Sequence, residues 1–140
     1  MPETFVVDCS VAAKWMLPEP GHVDALRLVR QERSGEVSLI APDLLLAEFA
    51  GLLAKKTRRK QISTDEARES FQFMQHSVLR LFETGPLLGP ALGLALQNQL
   101  SLWDCIYLAL AIKHDCPLVT ADRRLFRGGV GTHPAIRLLS

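Results

Sequence analysis

The chain has 140 residues and a mass of 15.5 kDa, which is the size of one domain that needs no disulfide or metal staple to fold. Apolar residues make up 48% and charged residues 22%, and that balance excludes disorder. Sixteen Lys and Arg against fifteen Asp and Glu leave a net charge of +1, a sum that by itself points away from a dedicated nucleic-acid binder.

The first run, Thr4-Phe5-Val6-Val7-Asp8, is β-branched and continuous, as a strand buried on both faces requires. It has no positive leader before it and carries Asp8 inside it, unlike a signal peptide. Ser10 is placed to cap a helix through Val11-Ala12-Ala13-Lys14-Trp15-Met16, which Pro18 and Pro20 should stop. A helix is expected over 22–34, ending near Gly35, and a strand over 37–41. Pro42-Asp43 opens a helix running to about Arg59. Ser63 and Glu66 have capping-box spacing ahead of a helix over 64–77. A strand over 78–83, a Gly85-Pro86 turn and helices over 87–99 and 101–115 follow. Pro117-Leu118-Val119-Thr120 reads as a buried strand, a short helical turn follows Asp122, and a last strand covers 135–139. Short buried strands alternating with helices predict an α/β sandwich with a mainly parallel sheet of about five strands in a single domain. The longest uncharged stretch, around 87–96, is too short to span a membrane. Cys9, Cys105 and Cys116 are odd in number and form no C-x-x-C pair, so they read as reduced thiols in a cytoplasmic protein.

Functional groups of a parallel sheet gather beyond the carboxyl ends of its strands. Two predicted strands end in an aspartate, Asp8 and Asp122. Asp43 and Asp65 are ordinary helix-start acids. Glu48 is different, because its helical neighbours Leu44, Leu45, Gly51 and Leu52 are all uncharged. Asp104, read as a mid-helix residue beside Leu100, Ser101, Tyr107 and Leu108, is equally isolated. Each costs stability unless compensated, through a distant Arg or a capped loop in the ordinary reading. Four carboxylates at one sheet edge repel: two unit charges at 4 Å cost about 4 kcal/mol at an effective dielectric of 20. Protonation or a divalent cation relieves this. All-oxygen ligands select Mg²⁺ or Mn²⁺, whereas zinc wants His or Cys, and His22, His76, His114 and His133 show no paired spacing. His114 reads as a helix-dipole partner. Such a cluster suits phosphodiester hydrolysis, with Asp8 and Asp104 as principal ligands and Glu48 and Asp122 completing the shell. Ser10 and Thr120 lie two residues from Asp8 and Asp122 and are candidate supports; helix cap and strand residue are their ordinary roles.

Four blocks carry a family resemblance: Val7-Asp8-Cys9-Ser10-Val11-Ala12-Ala13-Lys14-Trp15; Pro42-Asp43-Leu44 with Glu48; Leu100-Ser101-Leu102-Trp103-Asp104-Cys105-Ile106-Tyr107; and Leu118-Val119-Thr120-Ala121-Asp122-Arg123-Arg124-Leu125. In this order they resemble a PIN-domain ribonuclease, specifically a VapC-type toxin of a type II toxin–antitoxin pair. The resemblance implies Mg²⁺- or Mn²⁺-dependent endoribonuclease activity, a homodimer, and inhibition by a small antitoxin whose tail enters the active-site groove. It assigns the acidic ligands to Asp8, Glu48, Asp104 and Asp122. It assigns nothing to Lys55, Lys56, Arg58, Arg59 and Lys60, a run that reads either as a solvated helix end or as a patch for RNA phosphates. Arg123, Arg124 and Arg127 follow Asp122 and are better placed for a scissile phosphate or the antitoxin. Trp15, Trp103 and Phe49 are expected in the core. The competing reading is a catalytically silent PIN-like binding module with structural acids. A receiver-like domain ranks low because Cys9-Ser10 follows Asp8, and no G-x-G-x-x-G supports dinucleotide binding. The basic run supplies five positive charges, so the rest of the chain is net −4, a deficit equal to the four site acids. The neutral total therefore reads as an acidic pocket offset by separate basic segments.

Overall fold

A computed structural model describes residues 2–17, 19–129, 133 and 135–140. The β-branched opening forms strand β1 (Glu3–Val7); the others are β2 (Val37–Pro42), β3 (Arg80–Phe82), β4 (Leu118–Thr120) and β5 (Ile136–Leu138). They pair in the order β3-β2-β1-β4-β5, and each ladder is parallel. Helices fill the connections: α1 (Cys9–Ala12), α2 (His22–Arg33), α3 (Leu44–Arg58), α4 (Thr64–Gln75), α5 (Leu88–Gln97), α6 (Leu102–Lys113) and α7 (Arg123–Gly129).

Side chains alternate across the sheet, so each strand feeds two cores. Phe5, Val7, Leu39 and Val119 face the side closed by Ala25 and Leu28 of α2. Val6, Ile40 and Leu118 face the other side, where Leu45, Phe49 and Leu53 of α3 meet the continuous buried run Cys105–Ala111 of α6. This is the expected α/β/α sandwich. Cys105 and Cys116 are buried free thiols, and Cys9 is half-buried. Among the described residues no helix is long and apolar enough to cross a membrane.

Several local expectations need correction. Ser10 is not the first helix cap. Asp8 is, accepting the Val11 N–H, and the chain then tightens into a 3₁₀ turn over Ala13–Trp15. Pro18, expected to help stop that helix, lies outside the described residues. Asp104 is not mid-helix: Ser101 caps α6, which puts Asp104 in the first turn, where the helix dipole favours an acid. Asp43 precedes α3 but makes no side-chain cap; its Oδ1 instead accepts from the Thr84 N–H and hydroxyl, and Thr84 Oγ1 accepts from Leu44 N. Trp103 is 55% exposed, because it sits in the first turn of α6 before the helix enters the core. Phe49 is fully buried as expected, and Trp15 is half-buried with Nε1 donating to the Ala25 carbonyl. The Ser63–Glu66 capping box is present in both directions.

The strand order has one functional consequence. The chain lays β1, β2 and β3 outward in one direction, then returns to place β4 and β5 on the other side of β1. The crevice beyond the carboxyl ends of β1 and β4 is therefore the topological switch point, where open parallel sheets bind ligands.

Candidate active site

Asp8 stands at that switch point, directly after β1, and is 6% exposed. Its carboxylate is held from three sides. Oδ1 accepts from the Ser10 hydroxyl at 2.5 Å and from Val11 N at 3.2 Å. Oδ2 accepts from the Thr120 hydroxyl at 2.5 Å, across the β1–β4 boundary. Ser10 Oγ also accepts from Ala121 N, and Thr120 Oγ1 from Asp122 N. Both supports named from sequence therefore reach the carboxylate. Ser10 does so because α1 starts one residue before it and frees its hydroxyl to point back. Burial lifts the Asp8 carboxyl from 3.8 to about 6; the three hydrogen bonds oppose this, and the charge of Asp104 adds to it.

Asp104 is raised above the ordinary carboxylate range by burial and by the charge of Asp122, against the pull of the Ser101 hydrogen bond and the Arg124 guanidinium. Asp104 and Asp122 line one cleft of 320 Å³ with Ser101, Arg124 and Leu125. Asp122 Oδ1 accepts from Arg124 N and Leu125 N, which fixes it at the start of α7. Glu48 projects from α3, half-buried, and burial and the charge of Asp104 raise it. Its Oε1 accepts from the Tyr107 hydroxyl at 2.5 Å.

Tyr107 is the residue of the candidate site that sequence reasoning missed. It is the single tyrosine of the chain, buried one turn after Asp104 in an aliphatic helix. That isolation was the available signal, because a buried phenol needs an acceptor. Burial and the Glu48 charge hold its proton far more tightly than an ordinary phenol does, so it donates to Glu48 as a neutral group. Cys9 is pushed up to about 12 by burial and by Glu48, Asp8 and Glu19, which makes it a neutral thiol within the acidic field.

Among the described residues, no direct ion pair involves Asp8, Glu48, Asp104 or Asp122; the Arg124 guanidinium acts on Asp104 from beyond ion-pair distance. Nor do three of the His, Cys, Asp and Glu side chains stand close enough to enclose one ion directly. The donor set is nonetheless all-oxygen and electrostatically coupled. It fits a hard ion that keeps several waters and takes one or two carboxylates, the habit of Mg²⁺, rather than a protein cage. Arg123 and Arg124 are exposed beside Asp122. Lys55, Arg58 and Arg59 are exposed at the end of α3, whereas Lys56 pairs with Glu19 at 3.6 Å. A larger apolar cleft of 580 Å³ lies between α2 and α4, lined by Leu26, Val29 and Phe73, and contains none of the four acids.

Comparison with known proteins agrees with this geometry. The family model of the PIN domain matches residues 5–129. Ribonuclease VapC3 of Pyrobaculum aerophilum is 34% identical over 125 residues, covering 86% of this chain and 91% of that protein. The crystal structure of PAE2754 from the same organism superposes with a TM-score of 0.73 at 19% identity, covering 99% of this chain and 92% of that one. A toxin–antitoxin complex from Klebsiella pneumoniae gives a TM-score of 0.65 at 13% identity, covering 94% of each chain. With its sequence matched over nearly its whole length and its acids gathered at the switch point, the chain belongs to the PIN-domain family, among the VapC-type proteins.

Proposed function

We propose that the protein is a Mg²⁺- or Mn²⁺-dependent endoribonuclease that hydrolyses RNA phosphodiester bonds and acts as the toxin of a toxin–antitoxin pair. The observation that carries this reading is the set of four coupled carboxylates at the switch point, none of them in a direct ion pair among the described residues. Asp8, Asp104 and Asp122 are the ligands in this reading, directly or through waters. When bound, the ion polarises the phosphate and lowers the pKa of a water at the scissile bond. The protein supplies the rest. Ser10 and Thr120 hold Asp8 in one orientation, and Tyr107 fixes Glu48 so that its remaining oxygen can accept a proton from an attacking water. Arg124 lines the Asp104–Asp122 cleft, where a phosphate would meet its positive charge, and Arg123 stands exposed next to it in the chain.

The antitoxin partner follows from the resemblance and from the likeness to a toxin–antitoxin complex, and the cytoplasm is the compartment that suits three free thiols. We place the homodimer on α5 and the start of α6. Leu88, Leu92 and Leu96 form an exposed row there, Trp103 stands nearby, and no charged residue occurs from Gly85 to Ser101.

The test is cleavage of total cellular RNA with mapped ends, in Mn²⁺ and in EDTA. Wild type should cut only with the ion, and Asp8→Asn and Asp104→Asn should lose at least about 100-fold while staying folded. Wild-type protein that binds no divalent ion and cuts no RNA would instead support the silent binding module.

A further inference from the structure

Lys14 and Lys56 come from different parts of the fold and meet on one carboxylate. Lys14 Nζ lies 3.3 Å from Glu19 Oε2, and Lys56 Nζ lies 3.6 Å from Glu19 Oε1. Each ammonium addresses its own oxygen, the way two cations grip the two free oxygens of a phosphodiester. Neither lysine is a loose surface chain. Lys14 is 16% exposed and Lys56 is 23% exposed, against 31% for Glu19. The stem of Lys14 crosses Gly21 so closely that a Cβ there would sit 3.3 Å from Lys14 Cδ. The Lys14 carbonyl is fixed by His22 Nδ1 at 2.5 Å. Two cations against one anion leave the cluster a net positive charge. Its position is also informative: Glu19 is near enough to Cys9 to raise that thiol together with Asp8 and Glu48, and Lys56 lies about 12 Å along α3 from Glu48.

We infer that Lys14 and Lys56 form a second phosphate subsite for RNA, beside the scissile position, and that Glu19 occupies it as an internal counter-ion which the RNA phosphate displaces. This rests on the ribonuclease reading. It accounts for a partly buried cation pair that makes no ion pair with the four acids. The carboxylate keeps two desolvated ammoniums satisfied without substrate, and its departure sets the affinity of the subsite.

The experiment is steady-state cleavage of a single-stranded RNA oligonucleotide in Mn²⁺ from 50 to 300 mM salt. Glu19→Gln should lower KM about threefold with kcat unchanged. The double variant Lys14→Met/Lys56→Met should raise KM and flatten its log–log salt dependence by about 0.7, the loss of one phosphate contact. If that variant unfolds, Lys56→Met alone provides the same readout, and Lys56→Arg should restore it. Lower thermal stability in all variants with unchanged KM and salt slope would overturn the subsite and leave a structural tether. Unchanged RNA kinetics with lost inhibition by polyglutamate would assign the pair to a protein carboxylate and likewise overturn it. Wild-type protein that cuts no RNA overturns the ribonuclease reading and the subsite with it, whereas retained cleavage with unchanged KM and salt slope overturns the subsite alone.

Discussion

Asp8 shows what the site costs the fold. Its carboxyl titrates near 6 in the folded protein and near 3.8 when unfolded, so the folded state holds the proton more tightly. Stability from this group is therefore complete below about pH 4, falls as the pH rises to about 6, and stays low above that. The difference amounts to about 3 kcal/mol at neutral pH in metal-free protein. In EDTA at pH 7.5, Asp8→Asn should raise the melting temperature, and the gain should shrink at pH 4.5. Adding Mn²⁺ should stabilise wild type and leave the variant unmoved. A variant that melts lower at both pH values would show that the hydrogen bonds of the charged form outweigh its burial. Glu48 and Asp104 were legible in the sequence because uncharged neighbours made them conspicuous, and Asp8 and Asp122 because each ends a strand run. Tyr107 was not, because its partner Glu48 is 59 residues away and lies on another helix.

Helix ends explain a second set of features. α2, α3 and α6 end alike: the residue after the cap turns left-handed, and the next N–H reaches back to a carbonyl of the last turn. Gly35 fills the left-handed position after α2, but Lys60 (φ 58°) and Asp115 (φ 48°) fill it after α3 and α6. A side chain there costs about 1 kcal/mol, less for Asp than for Lys. Lys60→Gly should thus raise the melting temperature by about 2–4 °C and Asp115→Gly by less. Calorimetry giving the reverse order would refute this account. Glycine marks only the first of these stops in the sequence, yet the end of α3 expected at about Arg59 lies within a residue of the observed Arg58. A helix start misplaced Asp104: Ser101 was not recognised as the cap, so a favourable first-turn acid looked like a mid-helix fault. Trp103 was misassigned for a related reason, since its type implies burial while its place in the first turn exposes it.

At the scale of the molecule, α/β class and strand identity were readable from runs of β-branched residues, but strand order was not. Pairing of β1 with β4 joins segments more than a hundred residues apart, and no local pattern encodes it. The exposed row on α5 belongs to this scale as well. Leu96 is 78% exposed and Leu92 is 53% exposed, so neither contributes much to the monomer core. Leu92→Glu/Leu96→Glu should convert the proposed dimer to a monomer in sedimentation while leaving the fold intact. A variant that sediments as wild type would move the interface elsewhere. Salt dependence is also a property of the whole chain, because the positive charge sits in separate segments rather than in the sum.

The bond from Thr120 to Asp8 joins residues 112 apart. During synthesis, domains gain structure from the amino end first, and long-range pairings form last. A growing chain that has not yet made β4 holds Asp8 without its partner, lacks Asp122, and has no crevice for either. The same sheet order that builds the candidate site thus sets a clock on it: in the proposed reading the site is incomplete until β4 and Asp122 have been made.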